Sequence, residues 1–145
     1  MEDSPDTDPS SGLMSDAHRA VRLQHRDERT EDYVEAIYLL AQNGKEVRVV
    51  DLQGVFGVSH VTVIRALEKL EKEGLVERGS KGIALTVKGT KLALECYERH
   101  RTVESFLLAL GVPENAARED AEGIEHHLGA ETLAAMERFL ARENE

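Results

Sequence analysis

The stretch from Asp51 to Leu85 constrains the fold of this chain more than any other. Asp51-Leu52-Gln53-Gly54-Val55-Phe56 reads as a short helix stopped by Gly57. Val58 is an apolar turn residue. Ser59 suits a helix N-cap, because its hydroxyl can accept from an otherwise unsatisfied backbone N–H in the next turn. The helix that follows, from about His60 to Glu73, points Val63, Ile64, Leu67 and Leu70 inward and stops at Gly74. Leu75-Val76-Glu77 and Ile83-Ala84-Leu85 read as two strands around a basic, glycine-rich tip, Arg78-Gly79-Ser80-Lys81-Gly82. Helix, turn, capped helix and hairpin is the order of a winged helix-turn-helix, which lays its second helix in a DNA groove.

The flanks are helical. From about Arg19 to Gln42, Tyr33, Ile37, Leu40 and Ala41 recur at helical spacing, with Val34 and Tyr38 widening the stripe, and Asn43-Gly44 ends the run. Thr86 is expected to begin a long helix to about Leu110, carrying Leu92, Tyr97, Val103, Phe106, Leu107 and Leu110. Gly111 stops it, and Pro113 suits the first position of the next helix, which is expected to end near Gly129. A last amphipathic helix, from about Ala130 to Arg142, carries Leu133, Met136, Phe139 and Leu140 on one stripe. Such a stripe at the end of a small chain is better covered by a second copy than by water, so a homodimer is expected. Residues 1–17, rich in Asp, Ser and Pro with no Lys or Arg before Arg19, are expected to form a disordered acidic tail. The predicted fold is mainly α: a winged helix-turn-helix at 18–90, followed by a helical dimerisation and metal-binding region at 91–145.

Charge is distributed in keeping with that division. The whole chain carries −10, which looks wrong for a DNA binder. Lys45–Lys91, however, holds nine Lys/Arg and six Asp/Glu, a net of +3, while the rest holds nine and 22, a net of −13. DNA contact draws on a local basic face and not on the total. No apolar run is long enough to span a bilayer, and the N-terminus Met1-Glu2-Asp3-Ser4-Pro5-Asp6 does not read as a secretory signal. One cysteine, Cys96, leaves no internal disulfide and suits a reducing cytoplasm.

Three clusters supply ligands for a hard divalent cation. Asp32 and Glu35 are three apart, His100 ends Cys96-Tyr97-Glu98-Arg99-His100, and Glu122-Gly123-Ile124-Glu125-His126-His127 adds two carboxylates and an imidazole at spacings of three and four. On a helix, residues at those spacings share a face. Taken singly, each cluster also fits a bland reading. Asp32 and Glu35 match a solvated helix face, His100 a surface histidine, His127 an outer-shell or packing residue, and Cys96 a half-buried structural thiol. A metal centre wrapped around a DNA-binding unit points to a metal-responsive transcription factor.

These residues resemble a known family. Asp-Tyr-Val-Glu-Ala-Ile-Tyr at 32–38, Leu-Thr-x-x-Gly at 85–89, Glu-Arg-His at 98–100 and Asp-Ala-Glu-Gly-Ile-Glu-His-His at 120–127 are similar to the manganese transport regulators. Those proteins are the Mn2+-sensing branch of the diphtheria toxin repressor family. The similarity covers about 30–142, and 120–127 is its most specific part. It implies a homodimer that binds palindromic operators when loaded with Mn2+, and that usually represses manganese uptake genes. It places the ligands on Asp32, Glu35, His100, Glu122, Glu125 and His126, and implies no enzymatic activity. Three positions depart from the pattern: Val50 stands where a Ser or Thr cap is expected, Gly54 interrupts a short helix, and Val61 replaces a Pro or small polar residue.

The donor set suits the resemblance. Carboxylates and imidazoles without a thiolate fit Mn2+, although Zn2+ binds most N/O sites more tightly, and a Zn2+- or Fe2+-responsive relative stays open. Six side chains suffice for two ions per chain if one carboxylate, such as Glu125, bridges them. For DNA, Ser59, His60, Val61, Thr62 and Arg65 open the recognition helix where base edges are reached. Lys69, Arg78 and Lys81 are placed for phosphates. From another class, a di-metal carboxylate enzyme would want Glu-x-x-His on two helices, and this chain has Glu-x-x-Glu-His once. A metal-independent winged-helix regulator with an organic ligand is a further alternative.

Overall fold

The computed structural model describes residues 28–145. The tail assigned to 1–17, and the part of the first helix assigned before residue 28, lie outside the described residues. Helix α1 covers 28–42, followed by α2 (Val49–Phe56), α3 (His60–Lys72), strands β1 (Val76–Gly79) and β2 (Gly82–Leu85), then α4 (Val87–Ala109), α5 (Glu114–Ile124), a single 3-10 turn (Glu125–His127) and α6 (Ala130–Glu143).

The winged helix-turn-helix is present in the order that the sequence implies. Helix α2 is capped at Arg48, whose backbone N–H donates to Asp51 Oδ2 at 2.9 Å, and not at Val50, which lies exposed inside the first turn. The missing Ser or Thr at position 50 therefore costs the helix no cap. Gly57 closes α2 with φ 62°, a left-handed conformation that suits glycine. Ser59 caps α3 by accepting from the Thr62 N–H at 3.2 Å. Into the glycine-rich tip β1 runs two residues further and β2 one residue further than the apolar pattern implies, pairing Arg78 with Ile83 and Gly79 with Gly82 and leaving Ser80-Lys81 as the turn. Ile83 also donates to Val47 O at 2.8 Å, which ties the wing to the segment before α2.

One core unites these elements. It holds Tyr33, Val34 and Ile37 of α1, Leu52 of α2, Val63, Leu67 and Leu70 of α3, Leu75, Val76 and Ile83 of the wing, and Ala93 of α4. Ile64, expected inward, is only half-buried. The Leu-Thr-x-x-Gly motif joins wing to α4. Thr86 caps α4 by accepting from the Gly89 N–H at 3.1 Å and donates to Gly74 O at 2.6 Å. A Cβ on Gly89 would lie 2.0 Å from Leu75 O, so only glycine allows the helix to seat there.

Beyond the wing, α4 packs on α5 and α6. Val103, Ala117 and Ala121 are buried between them, and the Phe106 and Phe139 rings meet edge to face at 5.3 Å. Pro113 is the N-cap of α5 and not its first residue. The regular helix stops at Ile124 rather than near Gly129. Glu125–His127 tighten into a 3-10 turn, a common way for a helix to end. Along α6 no residue is fully buried, and Leu133, Met136, Phe139 and Leu140 are all half-buried.

Candidate metal centre

Three elements meet over the first half of the described part of α1. Residues three and four apart on α1 bring Glu28, Asp32 and Glu35 to one face, while Tyr33, Val34 and Ile37 go into the core. Helix α4 contributes His100 from its middle. Glu122 comes from the last turn of α5, and Glu125 and His126 from the 3-10 turn.

Ligand atoms of His100, Glu122 and Glu125 lie within 4.8 Å of one another, as do those of Glu28, Asp32 and His126. The two triads touch at Glu125. Its Oε1 is 3.7 Å from His100 Nδ1 and 3.6 Å from His126 Nε2. His126 Nε2 is also 2.9 Å from Asp32 Oδ1, and His100 Nδ1 is 3.8 Å from Glu122 Oε1. The structure thus brings five of the six sequence-derived ligands into two adjoining triads. Glu35 stands outside both, yet lies near enough to Glu122, His100 and Asp32 to feel their charges.

The inner side of the centre is shut off from water while Glu122 and Asp32 stay open to it, and the inward atoms lack hydrogen bonds. The Glu125 side chain is fully buried and that of His126 is 1% exposed. Glu125 Oε1 and Oε2 and His100 Nδ1 are buried without a hydrogen-bond partner, and His126 Nε2, also buried, has Asp32 Oδ1 at 2.9 Å as its nearest carboxylate. Buried polar atoms left this way cost free energy, so a cluster of them facing one point is a site arranged for something else. Oxygen and imidazole nitrogen donors with no thiolate suit a hard or borderline divalent cation.

The electrostatics agree. Burial, and then the charge of Glu35, push the Glu125 carboxyl up to about 8, against the pull of His126 and Arg99. Burial and then Glu122 raise Glu35 as well. Burial alone would lower His126, but the close approach and charge of Asp32, with Glu125 and Glu28, outweigh it and hold the imidazole above its usual value. Cys96 is fully buried, and burial followed by the surrounding carboxylates pushes its thiol up to about 12. It stays a thiol and donates to Glu31 at 3.4 Å.

Several participants escaped the sequence reading. Glu28 completes the triad with Asp32 and His126 and lies 3.4 Å from His127 Nε2. Glu31 pairs with Arg99 and sits 3.1 Å from His126 Nδ1, while Glu104 sits 3.1 Å from His100 Nε2. Glu28, Glu31 and Glu104 each stand four residues from a ligand (Asp32, Glu35 and His100 in turn), and that spacing is their local signal.

The residues assigned to DNA lie on α3 and the wing, and Thr62, Arg65 and Lys69 line a cavity that Glu28 and Asp32 of the metal centre also line. Ser59, His60, Val61, Thr62, Arg65 and Lys69 are all exposed at the start and along one face of α3, and Arg78 and Lys81 are exposed on the wing. Thr62 Oγ1 is 3.0 Å from Ser59 Oγ, Arg78 pairs with Glu71, and Lys69 lies 4.0 Å from Glu73.

Comparison with known proteins follows the same division. Residues 27–83 match the iron dependent repressor N-terminal DNA binding domain, and residues 86–144 match the iron dependent repressor metal binding and dimerisation domain. The chain belongs to the iron-dependent repressor family. Within that family it is 47% identical over 125 residues to the transcriptional regulator MntR of Escherichia coli O157:H7, covering 86% of this chain and 81% of that protein. The fold is similar to that of the manganese regulator SloR (TM-score 0.69, 30% identity, 77% of this chain and 53% of that one). It is also similar to a manganese-dependent transcriptional repressor in complex with manganese (TM-score 0.70, 31% identity, 77% and 52%). This iron-dependent repressor homologue thus spans about half the length of those solved regulators. As a family member it is a metal-responsive transcriptional repressor with a DNA-binding and a metal-binding half. Among the described residues no helix is long and apolar enough to cross a membrane.

Proposed function

We propose that this protein is a manganese-responsive repressor of manganese uptake genes, working in the cytoplasm as a homodimer on palindromic DNA. Asp32, Glu35, His100, Glu122, Glu125 and His126 hold Mn2+, two ions per chain. The observation that carries this reading is the set of buried, unpartnered atoms on His100, Glu125 and His126 that face one another without hydrogen bonds. Two divalent ions would balance the four ligand carboxylates, and the similarity to the manganese regulator SloR and to the solved manganese complex supports Mn2+ over Zn2+ or Fe2+.

Bound Mn2+ supplies the positive charge that relieves carboxylate repulsion and links three helices. The rest is mechanics of this chain. Asp32 and Glu35 sit on the same helix as Tyr33, Val34 and Ile37, which are buried in the winged unit. The Tyr33 ring stacks on Phe56 of α2 at 4.4 Å. Fixing Asp32 and Glu35 against α4 and α5 therefore fixes the recognition helix relative to the helices that dimerise. In a symmetric dimer, that sets the distance between two recognition helices, which successive major grooves require. Ser59, His60, Val61, Thr62 and Arg65 then meet base edges, and Lys69, Arg78 and Lys81 meet phosphates. The half-buried stripe of α6 and exposed Leu94, Leu108 and Leu110 support a dimer surface in the C-terminal half. The role is regulatory and not enzymatic.

The test is operator binding at buffered free Mn2+, Zn2+ and Fe2+, and with chelator. Binding that is strong with Mn2+ and lost with chelator is expected. Equal binding under chelator would point to a metal-independent regulator, and a response to Zn2+ or Fe2+ alone would change the metal. Glu122→Gln and His100→Ala should each abolish Mn2+-stimulated binding while leaving a folded dimer.

A further inference from the structure

Each imidazole of the metal centre has one ring nitrogen inside the site and the other against a carboxylate outside the ligand set. His126 Nδ1 lies 3.1 Å from Glu31 Oε2, and His100 Nε2 lies 3.1 Å from Glu104 Oε2. The opposite nitrogens, His126 Nε2 and His100 Nδ1, are the buried atoms without hydrogen bonds, and both face Glu125 Oε1. We infer that Glu31 and Glu104 are positioning residues that decide which nitrogen each histidine offers to the metal. The inference rests on the metal reading proposed above.

The chemistry runs from the carboxylates inward. An ionised carboxylate only accepts hydrogen bonds. Glu31 already serves as acceptor for the Arg99 guanidinium and for the Cys96 thiol, so its contact with His126 calls for a proton on Nδ1, the one ring proton left when Nε2 turns to a cation. A neutral His126 then has its lone pair on Nε2, 2.9 Å from Asp32 Oδ1. Glu104 does the same from the other side: a proton on His100 Nε2 leaves the lone pair on Nδ1, toward Glu122. Two histidines from different helices, bound through opposite ring nitrogens, each need a fixed tautomer and ring angle. Carboxylates behind metal-bound histidines supply both, and also make the ring a better donor. Glu31 is itself held: Arg99 and Cys96 reach it from consecutive turns of α4, the helix that carries His100. The arrangement thus couples α1, α4 and the 3-10 turn before any ion arrives.

The experiment combines two readouts. First, the intact protein labelled with 15N-histidine and loaded with diamagnetic Zn2+ is studied by ring-nitrogen NMR. His126 should show a protonated Nδ1 and a metal-bound Nε2, and His100 the reverse; the opposite assignment for either ring overturns the inference. Second, Mn2+ affinity is measured for Ala and Gln variants at both positions, with helicity and thermal unfolding of the metal-free forms as controls. Glu31→Ala and Glu104→Ala should weaken Mn2+ binding by roughly 10–100-fold, with Gln recovering much of it because it keeps an acceptor oxygen. Folded Ala variants that bind Mn2+ like the parent overturn the inference. If Glu31→Ala fails to fold because Arg99 loses its partner, the ring-nitrogen assignment in the parent protein still decides. Parent protein that takes up no Mn2+ overturns the metal reading and this inference with it. Normal uptake with unaffected variants overturns the inference alone.

Discussion

Glu125 Oε1 lies 3.7 Å from His100 Nδ1, both atoms are buried, and neither has a hydrogen-bond partner. The two groups come from different helices and face each other across a gap that no protein atom bridges by a hydrogen bond. A folded protein tolerates that only at a cost, and the cost is what a cation would relieve.

The first consequence concerns pH. The Glu125 carboxyl is raised to about 8 in the folded chain, against 4.5 as the ordinary value. Between those values the folded state holds a proton that the unfolded state has released, so stability falls as pH rises. His126, also raised, acts in the same direction. Metal-free protein should unfold at a higher temperature at pH 6 than at pH 8. Mn2+ affinity should run the other way, climbing with pH through this window, because the ion displaces protons. Calorimetry and metal titration at the two pH values check both signs.

Stability and function should separate at one residue. Glu125→Gln removes the buried carboxylate whose charged form is disfavoured, keeping its shape. At pH 8 the metal-free variant should be more stable than the parent, by on the order of 1 kcal/mol, while losing Mn2+ binding. Denaturant unfolding with and without Mn2+ would show it.

Two glycines should respond with opposite signs. Gly89→Ala forces a Cβ against Leu75 O and should destabilise by about 1–3 kcal/mol, as overpacking does. Gly54 lies inside α2, where an added Cβ would meet nothing within 4 Å, so Gly54→Ala should stabilise by up to about 1 kcal/mol. Thermal unfolding of both variants is sufficient.

On DNA, reading and positioning should separate. Arg65→Ala should cost about 1–3 kcal/mol on the operator and relax preference at one base position. Lys81→Ala should weaken binding to all sequences alike and reduce the salt dependence by roughly one counterion. Binding isotherms at several salt concentrations distinguish the two.

How much of this was legible in the sequence depended on how local each signal is. Ser59, Gly57, Thr86 and Gly89 act within a turn or a motif, and the winged unit could be read from them. The ligands Glu122, Glu125 and His126 share a short run, and Asp32 and Glu35 share a turn, so spacing exposed them. The Arg48 cap was missed because its acceptor, Asp51, works through the backbone rather than through the capping side chain. The end of α5 at Ile124 was missed because no proline or left-handed glycine marks it; the 3-10 turn there aims Glu125 into the centre. Glu31 stands beside Asp32 and four before Glu35, but its role was not legible, because its partners Arg99 and His126 are 68 and 95 residues away.

The decisive measurement is a titration of metal-free protein with Mn2+, following the free ion by electron paramagnetic resonance, which needs no operator. The geometry around Glu125 calls for tight uptake of about two ions per chain, lost in Glu122→Gln and His100→Ala. A free-ion signal that rises from the first addition, as in buffer alone, would contradict the account and leave the three clusters as an acidic surface beside a winged helix.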